Sequence, residues 1–155
     1  MKNRIKDVLF FGGLFALIDQ VVKIIISNKY SVYNSNDIES SFFSIKLTHN
    51  TGAAFSFFQG GRVVFIVVAI LVVLLMSVYI SNSEYVDGKK IFLYSLLLGG
   101  IIGNLVDRVI HGYVIDYISF TAFNYKFPVF NFADSCIVIA VIIAIVITVR
   151  EDLWN

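Results

Sequence analysis

The sequence predicts an all-α integral membrane protein with four transmembrane helices and a small β-rich element in the first long loop. Of the 155 residues 58% are hydrophobic and only 15% are charged, and the mean hydropathy is +0.83. Soluble globular domains are about 45–50% apolar and about 25% charged. The chain therefore has more apolar surface than one small core can bury, and we expect lipid to cover much of it.

Four segments are long enough to cross a bilayer, which takes roughly 20 mostly apolar residues. They are residues 8–27, 63–80, 91–110 and 130–149. The second segment carries no charge, whereas each of the others carries at least one acidic side chain. No repeat and no long linker divides the chain, so we expect a single membrane-embedded domain that comprises residues 1–155.

Lysine and arginine counts beside the spans predict the orientation, because cytoplasmic loops carry an excess of these residues. The termini and the short turn before the third span carry six cations, whereas the two much longer loops carry four. We therefore expect both termini to face the cytoplasm and both long loops to lie outside.

Both long loops carry patterns that plain linkers lack. Phe43, Ile45 and Leu47 alternate with polar residues, which is typical of a half-buried strand. The second loop is rich in aromatic residues of the kind that lie at headgroup level, so we expect it to follow the membrane interface. These residues are Tyr113, Tyr117, Phe120, Phe123, Tyr125 and Phe127.

Charged side chains collect near the outer ends of three spans. An ionisable group inside the membrane costs about 2.5–3.5 kcal/mol on insertion scales, so their convergence predicts a polar site that faces outward. Asp19 precedes Lys23 by four residues, so the two can form a structural ion pair on one helix face. Asp107 is followed by Arg108, and two roles stay open for this pair: to cap the helix or to position a substrate.

Asp116 and Asp134 have no lysine or arginine within four residues on either side. Taken alone, Asp116 is typical of an exposed loop acid and Asp134 of an acid near a helix start. If folding brings them together in a partly desolvated pocket, one pKa rises and the pair shares a proton. An aspartic peptidase uses this state: the ionised acid activates water and the protonated acid polarises the scissile carbonyl. That chemistry requires neither a metal nor a cofactor.

Composition argues against several other kinds of site. The net charge of +1 leaves no broad basic surface for nucleic acid. Cys136 is the single cysteine, which excludes an internal disulfide and a membrane thiol oxidoreductase of the CxxC type. With His49 and His111 as the two histidines, we expect no zinc site.

Four segments together resemble the lipoprotein signal peptidases, the type II signal peptidases of bacteria. They are DQVVK at 19–23, HNTGAAFS at 49–56, GNLVDRVIHGYVIDYI at 103–118 and FPVFNFADS at 127–135. Each string alone is unspecific, but their order and spacing on four predicted spans are typical of this family.

The resemblance implies an aspartic endopeptidase of the bacterial cytoplasmic membrane, with its catalytic dyad on Asp116 and Asp134. It also implies polar residues that support the dyad or contact the substrate. These match Asp19, Lys23, Asn50, Gly52, Asn104, Asp107, Arg108 and Asn131.

The implied partners are a substrate, an inhibitor and lipid. The substrate is a prolipoprotein whose lipobox cysteine carries a diacylglyceryl group, cleaved immediately before that cysteine near the outer face of the membrane. Globomycin-type cyclic peptides are the implied inhibitors and would overlap the dyad. We expect the protein to work as a monomer.

A small proton-coupled transporter is the alternative, since a membrane acid such as Asp19 can bind a proton and a substrate in turn. Transporter sites lie near the midplane and are reached from both sides, whereas the charged residues here lie toward the outer ends of the spans. A structural membrane subunit would leave these converging polar residues unexplained.

Overall fold

A computed structural model of the chain describes residues 4–30, 32, 42–52, 60–83, 86–123 and 125–153. In chain order the elements are α1 (Ile5–Lys29), β1 (Phe43–Asn50), α2 (Arg62–Asn82), α3 (Gly88–Ile110), β2 (Val114–Ala122), β3 (Tyr125–Lys126) and α4 (Phe132–Leu153). Within the described residues, these four helices are long and apolar enough to cross a membrane. The predicted fold class, four membrane helices with a small sheet, is confirmed.

The helix ends have local causes that the span predictions did not include. Asp87 caps the start of α3, where its side chain accepts a hydrogen bond of 2.8 Å from the backbone nitrogen of Lys90. Past the end of α3, Gly112 has φ +85°, a conformation that suits glycine after a helix. Asn131 and Asp134 bond each other's backbone nitrogens, so α4 begins two residues later than predicted.

α3 is the central helix and packs closely against α1 and α4. Two glycines of α3 allow this approach. A Cβ atom on Gly99 would lie 2.8 Å from the carbonyl oxygen of Gly12 in α1, and one on Gly100 would lie 2.5 Å from that of Ala133 in α4. Small residues of this kind are common where membrane helices meet.

A three-stranded antiparallel sheet, in the order β1-β2-β3, lies at one end of the bundle, which we call the sheet end. Phe43 pairs with Phe120 at one end of the β1–β2 ladder and Asn50 with Val114 at the other. The strand predicted in the first loop is therefore present. The second loop also forms strands, which we did not predict because β2 is buried along most of its length and shows no alternation of polar and apolar residues.

The helices meet at the opposite end of the bundle in an apolar cluster. It comprises Val8, Met76, Ile80, Val86, Ile91 and Leu98. This cluster joins α2 to α1 and α3. Many other large apolar side chains on the helices stay exposed, as expected where lipid covers a surface.

Candidate active site

A polar layer fills the sheet end of the bundle and contains the side chains that the sequence singled out. Six of them are buried, with at most 8% of their surface exposed: Asp19, Lys23, Asn104, Asp107, Asp116 and Asn131. Gly52 is also buried, and Asn50, Arg108 and Asp134 are partly buried. The layer therefore brings together residues from α1, both long loops, α3 and α4.

Lys23 is the centre of a buried ion cluster. Its Nζ atom lies 2.7 Å from Asp19 Oδ2 and 2.8 Å from Asp107 Oδ2, and it donates to Asn104 Oδ1 at 3.2 Å. The local pair of Asp19 with Lys23 is present, as its spacing suggested. The partner of Asp107 is different: it is Lys23 of another helix, whereas the neighbouring Arg108 points to backbone carbonyls.

The two acids of this cluster, Asp19 and Asp107, also accept hydrogen bonds from backbone nitrogens at the starts of α4 and β2. Asp19 Oδ1 accepts from the backbone nitrogen of Ala133 at 2.9 Å, and Asp107 Oδ2 accepts from that of Ile115 at 2.9 Å. Gln20, which we did not predict, donates to Asp107 Oδ1 at 2.9 Å. The sequence signal that could have identified Gln20 is a polar residue directly after Asp19 in an otherwise apolar run. The cluster thus fixes the starts of α4 and β2, the elements that carry Asp134 and Asp116.

Asp116 and Asp134 line one cavity of about 440 Å³. Asp116 accepts from Asn50 Nδ2 at 2.9 Å and from Asn131 Nδ2 at 2.8 Å. Asp134 accepts from Asn104 Nδ2 at 2.7 Å. Among the described residues, no lysine or arginine forms an ion pair with either acid. Both carboxyl groups are therefore held by neutral amides.

The surroundings of Asp116 favour its protonated form. Burial raises the pKa of Asp116 from 3.8 to about 7, and the nearby charge of Asp134 acts in the same direction. Hydrogen bonds from Asn50 and Asn131 and the charge of Lys23 lower the pKa but do not offset burial. Asp116 lies in β2 with 2% of its surface exposed, so it is not the exposed loop acid that its local sequence suggests.

Arg108 is the cationic side chain that lines this cavity. Its Nη2 donates to the carbonyl oxygen of Gly52 at 3.1 Å, and its Nη1 to that of Asn104 at 3.3 Å. The guanidinium carbon lies 4.9 Å from the ring centre of Phe65 in α2. Arg108 therefore connects α3 to the first loop and to α2 at the rim of the cavity.

The cavity has mainly apolar walls. These walls comprise Val114, Phe120, Phe127, Pro128, Val129, Phe130, Ile137 and Val138. A second hollow of about 280 Å³ lies between α2, α3 and α4 and shares Asn104, Arg108 and Ile137 with the first. The hollow between the helices therefore adjoins the cavity that holds the two carboxyl groups.

The two histidines lie outside the cavity wall. Their rings stack on Tyr113, with centre-to-centre distances of 3.9 Å for His49 and 5.7 Å for His111. In the described part of the chain, no group of three or more His, Cys, Asp or Glu side chains is arranged to hold a metal ion. Both histidine rings contact the ring of Tyr113.

Comparison with known proteins identifies the family. Residues 12–150 match the family model described as Signal peptidase (SPase) II. A lipoprotein signal peptidase of Symbiobacterium thermophilum is 35% identical over 125 residues, which cover 81% of this chain and 82% of that protein. Another, of Halothermothrix orenii, is 36% identical over 136 residues, covering 88% and 90%.

Solved structures agree with the sequence comparison. One described as a bacterial membrane enzyme has a TM-score of 0.85 at 29% identity and covers 94% of this chain and 88% of its own. A second with the same description has a TM-score of 0.82 and covers 93% of each chain. The resemblance drawn from the four motifs is confirmed, and the chain belongs to the signal peptidase II family.

Proposed function

We propose that the protein is an aspartic endopeptidase that removes the signal peptide from diacylglyceryl-modified prolipoproteins, cleaving just before the lipidated cysteine. One observation carries the proposal: Asp116 and Asp134 line the same cavity and are held by amides, with no described cation paired to either. Membership of the family supports the substrate class, since the relatives are named lipoprotein signal peptidases.

In this mechanism Asp116 holds the shared proton and Asp134 is ionised. The pKa of Asp116, raised to about 7 by burial and by the charge of Asp134, supports this assignment. Asp134 takes a proton from the attacking water, while the protonated Asp116 donates a hydrogen bond to the scissile carbonyl. The tetrahedral intermediate then collapses: the carbon–nitrogen bond breaks as Asp134 passes the proton that it took from water to the nitrogen of the leaving amine. No step requires a metal or a cofactor.

The remaining predicted site residues have supporting roles in this proposal. Asp19, Lys23 and Asp107 fix the elements that carry the dyad, Asn50, Asn104 and Asn131 orient its oxygens, and Gly52 and Arg108 contact the substrate. The contacts of Asp19, Lys23, Asp107 and the three asparagines support their roles. Arg108 lines the cavity and bonds the carbonyl oxygen of Gly52. Asn131 has a second task because it also caps α4.

A substrate that carries both a signal helix and a lipid reaches this site from the bilayer. The apolar walls of the cavity and the adjoining hollow between α2 and α4 suit such an approach. The proposal places the sheet end at the outer face of the bacterial inner membrane and both termini in the cytoplasm, as the cation counts predict. The chain acts as one domain, residues 1–155, and as a monomer.

A cleavage assay tests the dyad directly. Purified protein in detergent is mixed with a diacylglyceryl-modified prolipoprotein, and loss of the signal peptide is followed as a gel shift. Asp116→Asn and Asp134→Asn should each abolish cleavage without unfolding the protein. Asp7→Asn is the matched control, since Asp7 is an exposed acid paired with Arg4 far from the site. Full activity in either dyad variant would overturn the assignment.

Two additions to this assay separate the proposal from other chemistries. Cleavage should continue in EDTA, since no metal takes part, and a globomycin-type peptide should block it by competing at the dyad. Loss of cleavage in EDTA would contradict the mechanism. Uptake of a solute into proteoliposomes without any cleavage would favour the transporter instead.

A further inference from the structure

The two ends of α2 are held by different kinds of contact. Met76 and Ile80, near its last residue, are the buried residues of this helix. Both belong to the apolar cluster at the end of the bundle opposite the sheet. From Arg62 to Leu75 no α2 residue is buried, so the apolar core does not fix the sheet end of this helix.

Arg62 holds the sheet end of α2 through backbone carbonyls of α3. Its Nε donates to the carbonyl oxygen of Arg108 at 2.8 Å, and its Nη2 donates to that of Val109 at 2.8 Å. Both carbonyls lie in the last turn of α3, where a helix offers no internal donor. A guanidinium fits two neighbouring oxygens because its donors form a rigid fork.

The glycine that follows α3 lies close to this contact. A Cβ atom on Gly112 would lie 3.3 Å from Arg62 Nη1. One turn further along α2, Phe65 lies beside the Arg108 guanidinium, with 4.9 Å between its ring centre and the guanidinium carbon. Among the described residues, the contacts of the sheet end of α2 with α3 thus include a fork of hydrogen bonds and a cation–π contact.

The part of α2 held in this way forms one wall of the lateral hollow. Phe65, Val68, Ala69 and Val72 line it from α2, and Ile137 lines it from α4. α2 packs mainly on α3 and has no extensive contact with α4. A tilt of α2 about its buried end would therefore widen the hollow without opening the apolar cluster.

We propose that Arg62 is a positioning residue: its fork on the last carbonyls of α3 sets the width of the lateral opening through which a membrane-embedded substrate reaches the dyad. The effect on substrate binding rests on the proposed function, whereas the effect on the position of α2 does not. Arg62 is not among the residues that line the dyad cavity, so its loss should weaken substrate binding rather than the chemical step.

The kinetic test compares Arg62→Gln with the wild-type protein on the diacylglyceryl-modified prolipoprotein. The KM should rise about tenfold, equivalent to about 1.4 kcal/mol of binding, and kcat should stay unchanged. The KM of Arg62→Lys should lie between those of the wild type and Arg62→Gln, because lysine keeps the charge but lacks the forked pair of donors. Arg4→Gln, at the opposite end of the bundle, is the control and should leave both constants unchanged. An unchanged KM, or a fall in kcat alone, would refute the proposal.

A distance measurement tests the opening without relying on catalysis. Spin labels are placed on Val64→Cys, at the sheet end of α2, and on Val141→Cys in α4, two exposed positions, in a Cys136→Ser background in proteoliposomes. Arg62→Gln should lengthen or broaden the distance distribution measured by pulsed electron resonance. An identical distribution in both proteins would overturn the positioning role. If the wild type cleaves nothing, the proposed function fails, while this distance still decides the role of Arg62 in the structure.

Discussion

Two pairs of carboxyl groups share the polar layer at the sheet end, yet different groups hold them. Asp19 and Asp107 both bind the ammonium group of Lys23. Asp116 and Asp134 are held by asparagine amides instead. The partner of the first pair is thus a cation, whereas the side-chain partners of the second pair are neutral. The comparison separates acids that build the scaffold from acids that are suited to chemistry.

One side chain joins the two pairs. Asn104 accepts from Lys23 Nζ through its Oδ1 atom and donates to Asp134 Oδ1 through its Nδ2 atom. The scaffold therefore sets the orientation of the amide that holds one acid of the dyad. Substitutions in the first pair should mainly change stability, and substitutions in the second should mainly change titration and activity.

Removal of the cation from the first pair should have the largest effect. Lys23→Met leaves two buried acids without their partner, and breaking a buried ion pair in this way costs about 3–5 kcal/mol. We expect a large drop in the thermal unfolding temperature in detergent. Lys29→Met is the matched control, since Lys29 is exposed and lies beside Tyr30. An unchanged unfolding temperature would show that the first pair does not depend on this charge.

An added methyl group beside Asp19 should destabilise the protein less than loss of Lys23. In Gly103→Ala the new Cβ would lie 2.6 Å from Asp19 Oδ2 and 3.2 Å from Ala133 Cβ. Overpacking of this kind costs about 1–3 kcal/mol, and thermal unfolding measures it. Gly13→Ala, also within a helix, meets nothing within 4 Å and should not destabilise the protein. Equal unfolding temperatures of the two variants would contradict the close approach of Gly103 to Asp19.

In the second pair, loss of an acid should stabilise the protein, whereas the changes in the first pair should destabilise it. The folded-state pKa of Asp116, about 7, lies above its ordinary value of 3.8. The folded protein therefore keeps a proton that the unfolded chain releases, and stability falls as pH rises through that window. Asp116→Asn removes this titration, so it should gain unfolding temperature over the wild type between about pH 4 and pH 8. A difference that does not vary with pH would contradict the raised pKa.

The smallest expected effect is a shift in the pH dependence of cleavage. In the wild type, cleavage should decline as pH rises through about 7, where Asp116 loses its proton. Asn50→Ala removes a hydrogen bond that stabilises the ionised form, so the decline should move upward by up to about one pH unit. Thr51→Ala, at an exposed neighbour, should not move it. A downward shift for Asn50→Ala would reverse the proposed roles.

Sequence patterns predicted the features that depend on local spacing. The four spans follow from runs of apolar residues, and the pair of Asp19 with Lys23 follows from the helical repeat. The absence of local cations marked Asp116 and Asp134 as a pair of interest, and both line one cavity. Their catalytic role remains a prediction.

Features that join distant parts of the chain were not predictable in this way. The bond of Asp107 to Lys23 connects α3 to α1, and no local spacing rule detects such a contact. Gln20 is similar, since its partner Asp107 lies 87 positions away. β2 lacked the alternation of a half-buried strand because most of it is buried.

The reciprocal bonds between Asn131 and Asp134 have a consequence for how the protein matures. The two residues that begin α4 also place one acid of the proposed dyad. A copy in which α4 enters the bilayer at the wrong depth would lose its helix cap and displace the proposed dyad acid at the same time. Errors in membrane insertion would therefore produce inactive proteins and not peptidases that cleave other substrates.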